Sequence, residues 1–576
     1  MDENNKIEKT EFVPVNCREA IVSNEFADFI VQYEANITDA LIAYNAPCYQ
    51  IIDERYAVLH TPLGPIAQDP ALIDISVIPR LFGPYGVSSI DDAGILMLHN
   101  QPYLPLRGNG IIIGFVDSGI DYTHPSFIYD NNTSKILSIW DQTIQIGSPP
   151  LNFQYGTEYR MEEINLALQS ENPLEVVPSV DELGHGTFLA GVAAGRSTGD
   201  GRIIGAAPDA EIIMVKLKPG KQFLRDLYLV NEDAVVYQDN DIMMGVKYLM
   251  QQAEALDRPL VICLGVGTNQ GAHDGTSILE EYVNEIANNF GYVVVVPSGN
   301  EANLRHHALG EYPVGVPYED IEITVAPGER GFSIQVWAYT PDIYSIAILS
   351  PTGEFVSRLP PRLGRRDEIQ LVLERTVINV ENILVEPRTG DQLILVRFLE
   401  PTEGMWTIRL FGDVVVVGRY NIWLEREGWI NPATQFLRSN PSITVTTLGT
   451  AENPITVGAY NHFDNSLFIG SGRGPTRDGR LKPDIVAPGV NVLGPMPNNQ
   501  IGIMTGTSVA AAHVAGGAAL LLEWGILLGN NPMLNTTTVK KMLVRGAIRR
   551  PQFDYPNNQW GYGTLNLINT LEILRG

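Results

Sequence analysis

From Gly110 onward, short continuous apolar runs alternate with stretches of helical character, and this alternation limits the fold more than any other feature of the 576-residue chain. The runs are Ile111 to Val116, Ala210 to Leu217, Pro259 to Gly265 and Tyr292 to Val296; helices are expected at Gly186 to Arg196, Asp241 to Leu256 and Ser277 to Phe290. A strand that is apolar at every position has no side to turn to water, so it belongs in a parallel sheet covered by helices on both faces. Sites in such sheets gather at the carboxyl ends of the strands. Asp117 ends the first run and Asn300 follows the fourth.

Two stretches break the pattern. Between about residues 305 and 442, roughly eight short runs with period-2 alternation follow one another with turn residues and no helix between them, which predicts a β-sandwich of jelly-roll type. The α/β pattern resumes at Ile455-Thr456-Val457-Gly458, so the sandwich interrupts one α/β domain and divides it into 81–304 and 443–576. Residues 1–80 differ again: an apolar-periodic piece from Phe26 to Tyr44 and a strand-like Tyr49 to His60 fit a small α+β module, and the Pro/Gly-punctuated stretch Thr61 to Gly86 fits a linker.

Bulk properties narrow the partners. With 39 Lys and Arg against 66 Asp and Glu the net charge is -27, which repels nucleic acid and anionic membrane over the whole surface. No run of about 18 apolar residues predicts a transmembrane helix. The N-terminus lacks the basic and apolar regions of a secretory signal, so the expectation is synthesis in the cytoplasm, with the product staying with a spore or leaving by a non-classical route. Cys17, Cys48 and Cys263 are odd in number and suggest neither a disulfide framework nor a metal site.

Three separate segments carry chemistry. Phe115-Val116-Asp117-Ser118-Gly119 puts a carboxylate at a strand end, and Gly184-His185-Gly186-Thr187 puts an imidazole at a helix start. Met504-Thr505-Gly506-Thr507-Ser508-Val509-Ala510 delivers a serine to the start of a long apolar helix. A serine hydroxyl is a poor nucleophile until an imidazole takes its proton, and that imidazole needs a carboxylate to set its tautomer. Singly, Asp117 reads as a turn residue, His185 as a helix-terminal packing residue and Ser508 as an N-cap. Together, in the order Asp, His, Ser, they have the arrangement of subtilisin.

On these motifs the chain resembles the subtilisin-like serine proteases, or subtilases. The resemblance extends to Pro84-Tyr85-Gly86-Val87, similar to the mature start of such enzymes, to Leu264-Gly265-Val266-Gly267, similar to their substrate-binding strand, and to Pro297-Ser298-Gly299-Asn300-Glu301, similar to the loop that carries their oxyanion asparagine. It implies that Ser508 attacks the scissile carbonyl, that His185 is general base and then acid, that Asp117 orients His185, and that Asn300 holds the oxyanion. It also implies a protein or peptide substrate paired along Leu264, Gly265, Val266 and Gly267, and a role for residues 1–80 as a propeptide that blocks the cleft until cut between about Pro62 and Gly83.

The chain departs from the family in several places. Val509 and Ala512 replace the usual Met and Pro, and Ser126 stands where many subtilases have a calcium-binding Asp, so no metal or other cofactor is expected. His124, Asp181, Cys263 and His513 read as structural, with Asp181 a candidate for shaping a subsite. The N-terminal module, the sandwich and the long gap between Asp117 and His185, read as a polar insertion, resemble the Csp branch of clostridial subtilases, which process a cortex-lytic zymogen in spore germination. That branch has members with decayed triads, so the competing expectation is an inactive sensor or binding module. A lipase or esterase needs a Gly-x-Ser-x-Gly elbow, which Gly506-Thr507-Ser508-Val509-Ala510 breaks.

Overall fold

The computed structural model describes residues 17–33, 37–63, 77–84, 92–99, 101, 105–197, 204–313, 315–362 and 366–574. Among them the largest sheet has eight strands, in the order Ile485–Pro488, Ile455–Tyr460, Tyr292–Pro297, Leu260–Leu264, Ile112–Asp117, Glu211–Lys216, Ile136–Asp141 and Thr157–Arg160. Neighbouring strands are parallel except the last pair, which is antiparallel. The expected alternation is therefore present, with one correction. The gap between Asp117 and His185 is not a polar insertion, because it supplies two strands of the sheet and the helix Met161–Gln169.

Side-chain alternation explains why the strands are apolar throughout. Ile113, Phe115, Val261, Cys263, Val293 and Val295 enter one core, with the helices His185–Ala194 and Thr507–Leu522. Their neighbours Ile112, Val116, Leu260, Ile262, Val294 and Val296 enter a second core on the opposite face, under the helices Asp239–Ala255 and Ile278–Ile286. Successive strand residues point to opposite faces, so a sheet buried on both needs an apolar residue at every position. The stretch Thr507–Leu527 is apolar enough by composition to cross a membrane, yet 89% of its most apolar window is buried within the protein. It is the central helix of the first core.

From His307–Glu311 to Gln435–Phe436 the strands form two antiparallel sheets of six and five strands among the described residues. Phe332, Ile334, Phe398, Trp406, Ile408 and Ile422 fill the single core between them. Pro84-Tyr85-Gly86-Val87 lies, from Tyr85 on, outside the described residues.

The N-terminal module has three antiparallel strands in the order Phe26–Gln32, Tyr56–Pro62, Cys48–Ile51, with the short helices Cys17–Val22 and Thr38–Ala43. The apolar-periodic piece Phe26 to Tyr44 is thus a strand and a short helix. Phe29, Ala57 and Leu59 pack on Leu224, Tyr228 and Trp429, while Ile30, Tyr56 and Val58 join the second core. Between module and sheet domain lies a buried ion cluster, in which Asp28 meets His60 Nδ1 at 2.7 Å, Lys221 Nζ at 2.6 Å and Gln238 Nε2 at 3.0 Å. The expected linker is also revised. Leu81–Pro84 is a strand, antiparallel to Val266–Gly267 on one side and to Tyr237–Gln238 on the other.

Candidate active site

Three neighbouring strands of the parallel sheet end at one place. Asp117 closes the strand Ile112–Asp117, Leu264 to Gly267 continue from Leu260–Leu264, and Asn300 follows Tyr292–Pro297 three residues on. The helix His185–Ala194 brings its first residue to the same point, and Thr507–Leu522 brings Ser508, its second. The residues singled out in the sequence are thus gathered by the fold from positions up to 391 apart in number, from Asp117 to Ser508.

His185 Nδ1 lies 2.7 Å from Asp117 Oδ1, and Nε2 lies 3.2 Å from Ser508 Oγ. A carboxylate can only accept, so Nδ1 carries the proton and Nε2 offers its lone pair to the serine hydroxyl. Asp117 Oδ1 is held in turn by the Ser118 N–H at 2.7 Å. Asp117 and Ser508 are fully buried and His185 is 4% exposed, so these interactions act at low dielectric. Ser508 stands in the first turn of a 16-residue helix, where backbone N–H groups have no intrahelical partner and favour negative charge. Beside them Asn300 turns its amide oxygen toward Thr507, which donates its N–H at 3.0 Å and its hydroxyl at 3.1 Å. That leaves the amide NH2 as the end available to a ligand. Chemically the arrangement supplies a base for a serine hydroxyl and donors for an oxyanion next to it.

A sequence profile of the subtilase family matches residues 108–342 and 436–563. This chain belongs to the subtilase family. It is similar to the minor extracellular protease Vpr of Bacillus subtilis, 22% identical over 513 residues that make 84% of this chain and 54% of Vpr. It is 35% identical over 150 residues to the serine protease AprX of the same organism, which is 23% of this chain and 32% of AprX. The chain thus spans about half or less of these curated relatives. Among solved structures it resembles the CspB protease of Clostridium perfringens, with a TM-score of 0.75 and 32% identity over 85% of this chain and 98% of that one.

Around the subtilase site, the residues read as structural in the sequence prove to be so placed. His124 Nδ1 accepts the Ser126 N–H and caps the turn Pro125–Phe127. His513 is pushed down to about 3 by burial and its Nδ1 donates to the Val509 carbonyl, so it is a neutral helix residue. Burial pushes the Cys263 thiol up. Asp181 is placed at the start of the histidine helix. Its carboxylate accepts from Ser118 Oγ at 2.8 Å, from the N–H groups of Gly184 and Thr187 at 2.9 and 2.8 Å, and from Thr187 Oγ1 at 2.7 Å, which fixes the start of the histidine helix. Ser118 Oγ accepts the Gly186 N–H at 2.9 Å and completes this support. Among the described residues no cluster of three or more His, Cys, Asp or Glu side chains is placed to hold a metal ion.

Sequence reasoning missed two features of the subtilase site. One is Thr507 as the clamp of Asn300, whose only trace in sequence is a hydroxyl residue before the nucleophile. The other is Glu301, fully buried behind the oxyanion loop. It accepts from His306 Nδ1 at 2.7 Å, Asn269 Nδ2 at 3.1 Å and the Glu427 N–H at 3.1 Å, and so ties the Asn300 loop to the segment that follows Val266–Gly267 and to the two-sheet region. A cavity of about 410 Å³ opens beside Ser118, walled by Glu182, Lys216, Leu217 and Tyr237.

Proposed function

We propose that this subtilase is a serine endopeptidase that works through an acyl-enzyme and is made in a self-blocked form. The observation that carries the reading is the relay from Asp117 through His185 to Ser508, with the amide of Asn300 aimed beside it. In the proposed cycle His185 takes the Ser508 proton as Oγ attacks the scissile carbonyl. Asp117 stabilises the imidazolium, and Asn300 Nδ2 with the Ser508 N–H holds the oxyanion. His185 then protonates the leaving amine, and the same groups run a water molecule through the reverse sequence to release the acid.

Self-blocking rests on the strand Leu81–Pro84. It lies between Val266–Gly267 and Tyr237–Gln238, the two edges between which an extended peptide would bind by strand addition. The N-terminal module is then the folding and inhibitory propeptide, and 305–442 an inserted jelly-roll-like domain. A cut that separates module from enzyme falls after Pro84, beyond the 62–83 stretch expected from sequence. The likeness to CspB of Clostridium perfringens supports a place in the Csp branch and a role in processing a germination zymogen.

The test is fluorophosphonate labelling together with intact mass, on wild type and Ser508→Ala. The reading expects a labelled wild-type fragment beginning after residue 84, and an unlabelled, full-length Ser508→Ala. A folded wild type that takes no label and keeps full length would turn the assignment to a subtilase-fold binding module.

A further inference from the structure

The residue that leads into Leu81–Pro84, the channel strand of the reading above, is Arg80, and the fold packs around it. Its carbonyl accepts the Asp239 N–H at 3.0 Å, which continues the ladder of the channel strand by one residue. Its guanidinium lies against Gly271, where an added Cβ would stand 2.6 Å from Nη1 and 2.8 Å from Cζ, so the space is open because the residue is glycine, at φ +106°. One carboxylate beside this space feels Arg80, that of Asp239. Asp239, 3% exposed, begins the helix Asp239–Ala255, and its Oδ1 is buried with no hydrogen-bond partner among the described residues. Glu425 follows the strand Arg419–Leu424 and is held by Ser333 Oγ at 2.6 Å and Gln270 Nε2 at 3.2 Å. The buried hydroxyl of Tyr228 feels Arg80, Glu425 and Asp239 together. A further cation in that surrounding, Arg397, is bonded to the Asp226 carbonyl.

We propose that this is a substrate subsite for a basic side chain, best an arginine, four residues before the position that pairs with Val266. It rests on the endopeptidase reading above. Burial pushes the Asp239 carboxyl up to about 7 even with Arg80 beside it, so this buried group has positive charge to gain and none to spare. Arg80 is the cation that pulls it down while the module is in place. Once the module has been cut away, a substrate lacking a cation there leaves the buried Asp239 carboxyl without the positive charge beside it, whereas a guanidinium against Gly271 restores that charge. Lysine, a point charge without the guanidinium's extended fork, fills the space over Gly271 less well.

The test uses full-length protein taken to the end of self-processing, with two synthetic peptides of residues 77–92, one native and one carrying Arg80→Gln. The expected result is a kcat/KM about 10-fold or more in favour of the arginine peptide, falling to near parity in Asp239→Asn enzyme. Equal rates in the wild type, a ratio unchanged in Asp239→Asn, or digestion of casein but of neither peptide would each overturn the subsite. If nothing is hydrolysed and Ser508 takes no fluorophosphonate, the endopeptidase reading fails by itself. Fluorescence anisotropy of the two labelled peptides then decides the subsite: tighter binding of the arginine form upholds it, and equal binding overturns it.

Discussion

Thr507 grips Asn300 by its amide oxygen, through an N–H at 3.0 Å and a hydroxyl at 3.1 Å, and so turns the amide NH2 toward the space beside Ser508. In the proposed mechanism, the neighbour of the nucleophile thereby sets the direction of the oxyanion donor. Removing the donor in Asn300→Ala is expected to lower kcat by roughly 10² to 10³, a cost measured on subtilisin of this same family. Thr507→Val keeps the N–H and loses the hydroxyl, so kcat should fall by about 10-fold, with KM within about 2-fold for both. Steady-state kinetics on one peptide checks the pair, and Asn300→Ala at wild-type kcat would remove Asn300 from the site.

The start of the histidine helix tolerates no side chain at Gly186, because a Cβ there would stand 2.2 Å from the Gly119 carbonyl oxygen. Backbone cannot swing aside as a flexible side chain can. Gly186→Ala should destabilise the fold by about 1–3 kcal/mol by overpacking, read as a shift of the urea midpoint. It should also slow turnover by more than that loss accounts for, since His185 is the adjacent residue.

Asp181 is expected to matter for a different reason. Its carboxylate satisfies the Gly184 and Thr187 N–H groups and two hydroxyls in a buried setting. Asp181→Ala strands these donors and should cost about 3 kcal/mol or more. Asp181→Asn keeps one acceptor and should cost less, with part of the activity recovered. Chemical denaturation and turnover of the two variants, side by side, test the ranking.

Attachment of the N-terminal module should weaken in acid. Burial raises the Asp28 carboxyl, but Lys221 and His60 beside it lower it further, so it ends below the ordinary carboxylate range. A depressed carboxylate contributes stability above about pH 4 and loses it as pH falls through the folded value. Burial pushes His60 down, so it stays neutral in the fold while a released chain would protonate below about pH 6.5, in the same direction. Lys221, pushed down by burial, bears a cost that is relieved only toward alkaline pH. The neighbouring Asp241, 2.6 Å from Lys218, is pushed up by burial and so acts against Asp28 and His60 as pH falls, in part. Processed protein is therefore expected to elute as one complex at pH 7.5 and as two components at pH 4. Lys221→Met should loosen the complex at both, because it leaves Asp28 buried without its cation, at about 3–5 kcal/mol.

Much of this was legible before any coordinates. Ile112 to Asp117, Leu260 to Leu264 and Tyr292 to Pro297 declare a sheet buried on both sides by their composition. Asp117, His185, Asn300 and Ser508 are each marked by residues next to them in the chain. The strand Ile136–Asp141 was hidden because Ser138, Asp141 and Gln142 break its apolar pattern, although all three are buried. Their polar groups find partners from other elements, Tyr248 on Ser138, Ser179 on Asp141 and the Asp241 carbonyl on Gln142. No local pattern announces such partners.

Local sequence therefore determined which segments could be strands or helices, which faces they bury, and which side chains could do chemistry, since periodicity and motif are properties of residues within a few positions of each other. Only the tertiary structure decided that Leu81–Pro84 pairs as a strand between Val266–Gly267 and Tyr237–Gln238 instead of serving as a linker, that Thr507 holds Asn300, that Asp181 supports the helix of His185, and that Arg80 lies against Gly271 beside Asp239. Each of these depends on a hydrogen bond, an ion pair or an open space between residues far apart in the chain, and the chain's path in three dimensions is what brings them within reach.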